Sequence, residues 1–475
     1  MECAIVGEVA GVELGDERLN KRLSVIADRL GAQPHLSIPA AMRGRNELEA
    51  AYEFFANEKV TPEAILSQHY VKTRLRISQE RECLLVQDTT EVTLTRPQQQ
   101  VKGAGPLSSE SQWGTFVHPL MAFTTNGIPL GVAWHKHWTR TELRTGTPEE
   151  KTKALKAIPI EEKESIRWIE GLKEALKIAE ECADTRCVLM GDSEADIYEL
   201  FTESRETSHG RPLEFLVRAS QVRATTEVGH NILDQARAAP CCYTATVNVS
   251  PRTPMTAVEK RKRRTARSAR VANVEVRACS TTLRPPYRPD RKLRSVSVNI
   301  VLVEEVGTPE GEEPVQWLLV TTLPISTHEL IRTVVEYYCQ RWGMEVYFKT
   351  LKSGCRIEQR QFEFLERELN CIAVYMIVAW RVLFLCRLGR ECPDLSCEVV
   401  FEPSEWKAVY LVVTKKDPPK VSPKLNDMIR MIASLGGYVS RKKTEPGTQT
   451  LWLGLQRMHD FASCYDSFGP DSRKR

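Results

Sequence analysis

At 475 residues and 53.9 kDa the chain exceeds a single typical domain, and 42% hydrophobic against 27% charged residues supplies sizeable cores and excludes a disordered polymer. A net charge of +4 excludes a strongly cationic condensing protein, yet Ser250–Ser295 holds 14 Lys/Arg against 3 Asp/Glu, a local excess that points to a polyanionic partner. The 14 cysteines are scattered without CxxC pairs or Cys/His spacing, so they predict reduced thiols rather than a zinc site or a disulfide framework.

The N-terminus has no basic stretch followed by an apolar one, so no secretion signal is predicted. Leu19, Leu23, Ile26 and Leu30 recur at helical spacing, with Asp16 to cap the helix and Gly31 to end it. A second helix is predicted from Asn46 with Glu49 as capping partner, and a third from Thr61-Pro62. Arg18, Lys21, Arg22, Arg43 and Arg45 are then available to face phosphates.

Cys83–Gln87 reads as a strand ending at Asp88, and Phe116–Thr125 and Gly131–Trp138 as the next two, with Asn126-Gly127 as a turn between them. A charged helix over Glu161–Ala183 precedes a strand over Arg186–Met190 that runs into Gly191-Asp192. From about Phe215 to Thr322 the pattern is almost wholly β, which predicts a strand-rich insertion in an α/β core. Helical periodicity resumes at Ser326, with Glu329 completing a capping box, and runs to Gly354. The apolar run Cys371–Trp380 is broken by Arg381 and is too short to span a membrane, so a buried helix is predicted over Leu365–Leu388. A Pro-rich linker at Asp417–Pro423 and a final helical segment complete the chain.

Three carboxylates stand out by position. Asp88 and Asp192 each end a core strand, where side chains point into the crevice at the carboxyl edge of a sheet, and Glu345 sits on the helix after the insertion. Converging carboxylates repel, and a divalent cation relieves the repulsion; oxygen ligands without Cys or His favour Mg²⁺ or Mn²⁺ over zinc. Tyr338, Arg341, Glu345 and Lys352 fall at i, i+3, i+7 and i+14, within an arc of roughly 60° on an α-helix, which places an acid among cations. Taken singly, each aspartate is more often a turn or cap residue, and Glu194 and Asp196 compete with Asp192 for the role. Glu345 alone would read as part of a surface ion-pair face.

The segment YCQRWGMEVYFKTLK at Tyr338–Lys352 (numbered from its first residue) resembles the Tyr-x2-Arg-x3-Glu-x6-Lys signature of the cut-and-paste bacterial insertion-sequence transposases, the family that includes the transposon-five transposase. QDTTEV at Gln87–Val92 and GDSEADIYEL at Gly191–Leu200 resemble the stretches around that family's two catalytic aspartates, and further likeness covers nearly the whole chain. The resemblance implies a ribonuclease-H-like α/β fold, a mixed sheet flanked by helices, with a β insertion at about 218–322 in a catalytic domain spanning 71–365. It also implies a helical domain over 1–70 that binds the element's ends and a helical dimerisation domain over 366–475.

By the same resemblance, Asp88, Asp192 and Glu345 form the catalytic and metal-binding triad, served by Mg²⁺ with Mn²⁺ as a substitute. Tyr338, Arg341, Lys349, Lys352 and Arg218 contact DNA phosphates, and Trp317 stacks on a base flipped out of the duplex. The basic run Lys260–Arg264, with Arg267 and Arg270, supplies sequence-neutral phosphate contacts. The implied activity is metal-dependent hydrolysis and transesterification through a DNA hairpin. The implied partners are double-stranded DNA, as terminal repeats and target, and a second copy of the chain; the implied location is the bacterial cytoplasm and nucleoid.

Two other classes fit the sequence less well. A catalytically silent DNA-binding inhibitor of transposition would bear the loss of a triad residue, and all three are present. A two-carboxylate glycosidase needs sugar-stacking aromatics, whereas aromatic content is 7% and the strip at Ser250–Ser295 is basic. Binding to duplex DNA is expected to weaken steeply as salt rises, measured by fluorescence anisotropy; salt-independent binding would overturn phosphate recognition.

Overall fold

The structure is a computed structural model and describes residues 5–96, 99–109, 111–142, 147, 150, 158–251, 267–289, 291–439 and 444–469. Among these, the strands are β1 (Glu82–Gln87), β2 (Thr90–Thr93), β3 (Gly105–Pro106), β4 (Trp113–Thr124), β5 (Pro129–Trp138), β6 (Arg186–Gly191), β7 (Glu214–Arg218), β8 (Cys241–Val249), β9 (Arg270–Leu283), β10 (Val296–Val306) and β11 (Gln316–Thr321). The chain divides into two compact units, one of Met1–Cys83, Asp88–Thr145 and Trp342–Arg475, the other of Leu84–Gln87 and Gly146–Arg341.

In the first unit β4 pairs antiparallel with β2, β3 and β5, and the turn after β4 uses Gly127 at φ 84° as the Asn-Gly signal predicts. Its centre is the 27-residue helix Leu365–Glu391. The helix continues through Arg381, so by length and composition it could cross a membrane after all; instead 94% of its most apolar window is buried inside the protein. The helices Glu17–Ala32, Pro62–Ile77, Leu425–Leu435 and Thr448–Phe468, together with β5, pack around it.

Several of the polar groups that this helix carries into the core find hydrogen-bond partners, although the buried Tyr375 hydroxyl has none. Asn370 Nδ2 donates to the carbonyls of Phe55 at 3.1 Å and Val60 at 2.9 Å, and Trp380 Nε1 donates to Pro129 at 2.9 Å. The Arg76 guanidinium lies 4.5 Å over the Trp380 ring and pairs with buried Glu8 at 2.9 Å. Glu368 is fully buried; burial pushes its carboxyl up to about 7, and Arg96 at 3.7 Å offsets this only in part.

Local chemistry explains most element starts. Asp16 caps Glu17–Ala32 by accepting from Arg18 N at 2.9 Å, and Thr61 caps Pro62–Ile77 by accepting from Ala64 N at 3.2 Å. Gly31 lies inside its helix rather than ending it, because an added Cβ there would strike Ile5. The second predicted helix starts at Arg45 after Gly44 at φ 94°, and Glu49 accepts from Arg45 Nε at 2.7 Å instead of capping. In the N-terminal region Arg18, Lys21, Arg22 and Arg45 sit in surface ion pairs with Asp16, Glu17, Glu53 and Glu49. Such pairs are weak and exchange readily for other anions.

In the second unit the hydrogen-bonded strand order is β1-β6-β7-β11-β10-β9-β8. β6 and β7 are parallel, and β11, β10, β9 and β8 follow antiparallel, which makes the predicted β insertion a continuation of the core sheet. Helix Ile166–Glu181 buries Trp168 and Leu172 as expected. A short helix, Ile232–Ala238, interrupts the β pattern, capped by Asn231 on Leu233 N and Asp234 N. The run Lys260–Arg264 lies outside the described residues. Arg270, expected to face phosphate, is instead committed to Glu305 at 2.8 Å and to Glu312, and Arg267 Nε donates to Ser250 O at 3.1 Å.

Two stability outcomes follow from the first unit. Glu368 keeps its proton to about pH 7 in the folded chain but loses it near 4.5 when unfolded, so native stability falls as pH rises across that window, by roughly 3 kcal/mol in all. Glu368→Gln should remove this slope in urea titrations at pH 5 and pH 7; an unchanged slope would show that Glu368 is ionised in the fold. The place a Cβ would take on Gly343 is 2.8 Å from Phe123 Cε1. Gly343→Ala should therefore lower stability by about 1–3 kcal/mol by overpacking, whereas helix propensity alone predicts a gain of about 1 kcal/mol. The urea midpoint decides the sign.

Candidate active site

Five of the nine predicted residues lie in the second unit, around the ends of β6 and β7. Asp192 follows β6, half-buried, and its Oδ1 accepts from Glu194 N at 2.8 Å. Its two competitors are otherwise engaged. Asp196 is 4% exposed and accepts from Ser220 N at 2.8 Å, Gln221 N at 2.9 Å and Arg223 Nε at 2.7 Å; Glu194 pairs with Arg167 at 2.7 Å.

Arg218 ends β7 and lies opposite Leu319 of β11, with its guanidinium donating to Gln316 O at 3.2 Å. Trp317 is two residues from Leu319, so alternation along the strand puts Trp317 and Arg218 on one face. Trp317 is half-buried, and its ring meets that of Tyr338 edge-on with centroids 5.4 Å apart. Burial pushes the Tyr338 phenol up; Arg341, which hydrogen-bonds to it, and Arg218 pull it down, and Asp192 pushes it up. One buried phenol thus feels the carboxylate and both guanidiniums. It stays protonated at neutral pH and can donate to an anionic oxygen.

The other four residues lie in the first unit. Asp88 follows β1, half-buried, with Oδ1 accepting from Thr89 N at 2.7 Å, and the Thr89 hydroxyl meets His118 Nδ1 at 2.8 Å. Glu345 and Lys349 are exposed on the helix Trp342–Lys349. Lys352 Nζ lies 3.4 Å from Glu358, which also accepts from Thr93 N at 2.9 Å. Glu358 and His118 carried no signal in the sequence, because each acts across elements far apart in the chain.

The predicted continuous helix from Ser326 to Gly354 is divided. Its first part is His328–Gln340, capped by Thr327 on Leu330 N at 3.3 Å rather than by Ser326. Arg341 leaves the α pattern, its N–H bonding back to Tyr338 O at 3.2 Å. Trp342–Lys349 is helical again, and Thr350–Gly354 forms a π-turn closed by Cys355 N to Thr350 O at 2.9 Å. The 60° arc computed for one regular α-helix therefore does not carry over, since an i+3 turn tightens the spiral and a π-turn adds a residue to it.

Three family models match. Residues 1–60 match a transposase DNA-binding model, residues 206–380 a transposase DDE domain, and residues 377–466 the transposase Tn5 dimerisation domain. The DDE match contains Arg218, Trp317, Tyr338, Arg341, Glu345, Lys349 and Lys352, while Asp88 and Asp192 precede it. Among solved structures, a piggyBac transposase synaptic complex with hairpin DNA is similar at 9% identity and a TM-score of 0.35, over 80% of this chain and 72% of that one. With a mixed sheet flanked by helices, a DNA-binding match, a DDE domain of the kind that uses divalent metal, and a dimerisation match, this DNA-binding, ribonuclease-H-like α/β enzyme belongs to the DDE transposases of the Tn5 type.

Proposed function

We propose that the chain cuts an insertion element from DNA at its terminal inverted repeats and joins it to target DNA, with Asp88, Asp192 and Glu345 as the triad. In this reading residues 1–70 recognise the ends, 71–365 carry the chemistry and 366–475 pair two protomers. The triad is all carboxylate, without thiol or imidazole, and its members are half-buried or exposed, a donor set suited to Mg²⁺, with Mn²⁺ as substitute. Two such ions supply activation of a water or 3′-hydroxyl and neutralise charge on the leaving oxygen.

The observation that carries the proposal is the buried Tyr338 phenol, set among Trp317, Arg218, Arg341 and Asp192. Tyr338 donates a hydrogen bond to a phosphate oxygen, and Arg218 and Arg341 bring positive charge to the same backbone. Trp317, braced by the Tyr338 ring, offers a face to an extruded base. Lys349 and Lys352 hold phosphates further along the strand, with Glu358 orienting Lys352. From the family resemblance comes the order of events. A nick frees a 3′-hydroxyl, that hydroxyl attacks the opposite strand to close a hairpin, and the reopened blunt end attacks target DNA.

The test is cleavage in Mg²⁺ of linear DNA carrying the sequences that flank the gene. Wild type should break the DNA at the element's edge. Glu345→Ala and Asp192→Ala should each lose that activity by at least about 10³-fold while still binding the ends, whereas Tyr338→Phe should slow it by about 10–10²-fold. Breakage that survives Asp192→Ala would overturn the triad assignment.

A further inference from the structure

Apart from the triad, the first unit gathers another set of possible ligands. Glu63 lies in the first turn of Pro62–Ile77, and His135 and His137 lie two residues apart on β5, so both imidazoles share one face of the strand. Their rings stack with centroids 5.8 Å apart and planes at 25°. One ligand atom from each of the three residues lies within 4.8 Å of the others, and among the described residues this is the one group of three His, Cys, Asp or Glu with that property.

The surroundings look like those of a ligand set. His135 is 6% exposed; its Nδ1 meets the Tyr70 hydroxyl at 2.5 Å, and its Nε2 lies 3.9 Å from Glu63 Oε1. His137 Nδ1 is buried without a hydrogen-bond partner, an arrangement that ordinarily costs stability. Burial pushes both imidazoles below their usual range, His135 to about 4, and the neutral form is the one that ligates. Glu63 is exposed and movable, and with His137 it lines a cavity of about 540 Å³.

We propose that Glu63, His135 and His137 form a binding site for a divalent transition metal ion of the Zn²⁺ class, with its remaining position open to this cavity. Two imidazoles and one carboxylate suit such an ion, and they differ in kind from the oxygen-only triad. Tetrahedral coordination needs donors about 3.3 Å apart, so on binding the three donors, now within 4.8 Å of one another, close in around the ion. His135 Nδ1–H donating to Tyr70 Oη leaves the Nε2 lone pair for the ion, with Tyr70 acting as the orienting partner. The ion ties the first turn of Pro62–Ile77 to β5.

The experiment uses the untagged full-length chain, stripped of metal and titrated with Zn²⁺ by calorimetry and with Co²⁺ by visible absorption. Wild type should bind a Zn²⁺ equivalent that the double variant Asp88→Asn, Glu345→Gln retains, and Co²⁺ should give intense tetrahedral bands. Glu63→Gln, at an exposed position, and His137→Ala should each weaken Zn²⁺ by more than about tenfold, and Tyr70→Phe by about tenfold. Zn²⁺ should raise the melting temperature of wild type but not of Glu63→Gln. Unchanged Zn²⁺ affinity in both Glu63→Gln and His137→Ala, or a Zn²⁺ equivalent lost only with the triad residues, overturns the proposal; neither result bears on the DNA-cleavage reading.

Discussion

Leu365–Glu391 is buried on every face, and a helix of that kind needs cover from several directions at once. The first unit supplies this from both ends of the chain: Glu17–Ala32 and Pro62–Ile77 from the N-terminal side, Leu425–Leu435 and Thr448–Phe468 from the C-terminal side, with β5 between them in sequence. Each large apolar side chain on the helix gains about 1.5–3 kcal/mol from burial, and withdrawing any one cover would expose several of them. The polar contacts follow the same plan. Asn370, Trp380 and Arg76 fasten the helix to backbone and side chains of the N-terminal elements and of β5, so segments far apart in sequence share one cooperative unit.

The candidate site residues fall where regular structure gives way. Asp88 and Asp192 follow strands β1 and β6, Arg341 interrupts a helix, and Lys352 lies within a π-turn. Backbone that leaves the α pattern re-aims the side chains that follow, and Gly343 lets the restarted helix lie against Phe123 with no Cβ between them. Tyr338 unites its neighbourhood for an electrostatic reason, because a buried phenol responds to every charge that faces it.

Much of this was legible in the sequence. Asp16, Thr61-Pro62 and Asn126-Gly127 marked their boundaries because capping and turn chemistry are local, and the β run from Phe215 to Thr322 showed itself through alternation. The triad candidates emerged from the motif at Tyr338–Lys352 and from apolar runs ending in aspartate. What stayed hidden depends on distance in the chain. Gly31 reads as a stop signal until Ile5 is seen against it, and Arg270 reads as a phosphate ligand until Glu305 and Glu312 are seen around it. The helix Ile232–Ala238 did carry a signal, Asn231 followed by Asp234, but seven residues amid strong alternation are too few to show a period. The grouping of Glu63 with His135 and His137 had none, since a carboxylate 72 residues ahead of a His-x-His pair forms no motif.

The pairing of β7 with β11 sets Arg218 opposite Leu319 and, through the strand's alternation, on the same face as Trp317. A slip of one residue in that ladder would put the two side chains on opposite faces of the sheet. The segment between these strands is therefore a cassette whose base is fixed by the β7–β11 pairing. Among homologues, insertions and deletions should accumulate in the connections between β8, β9 and β10, while the spacing through Arg218 and from Gln316 to Tyr338 holds constant. Changes in those connections can then leave the shared placement of Arg218 and Trp317 undisturbed.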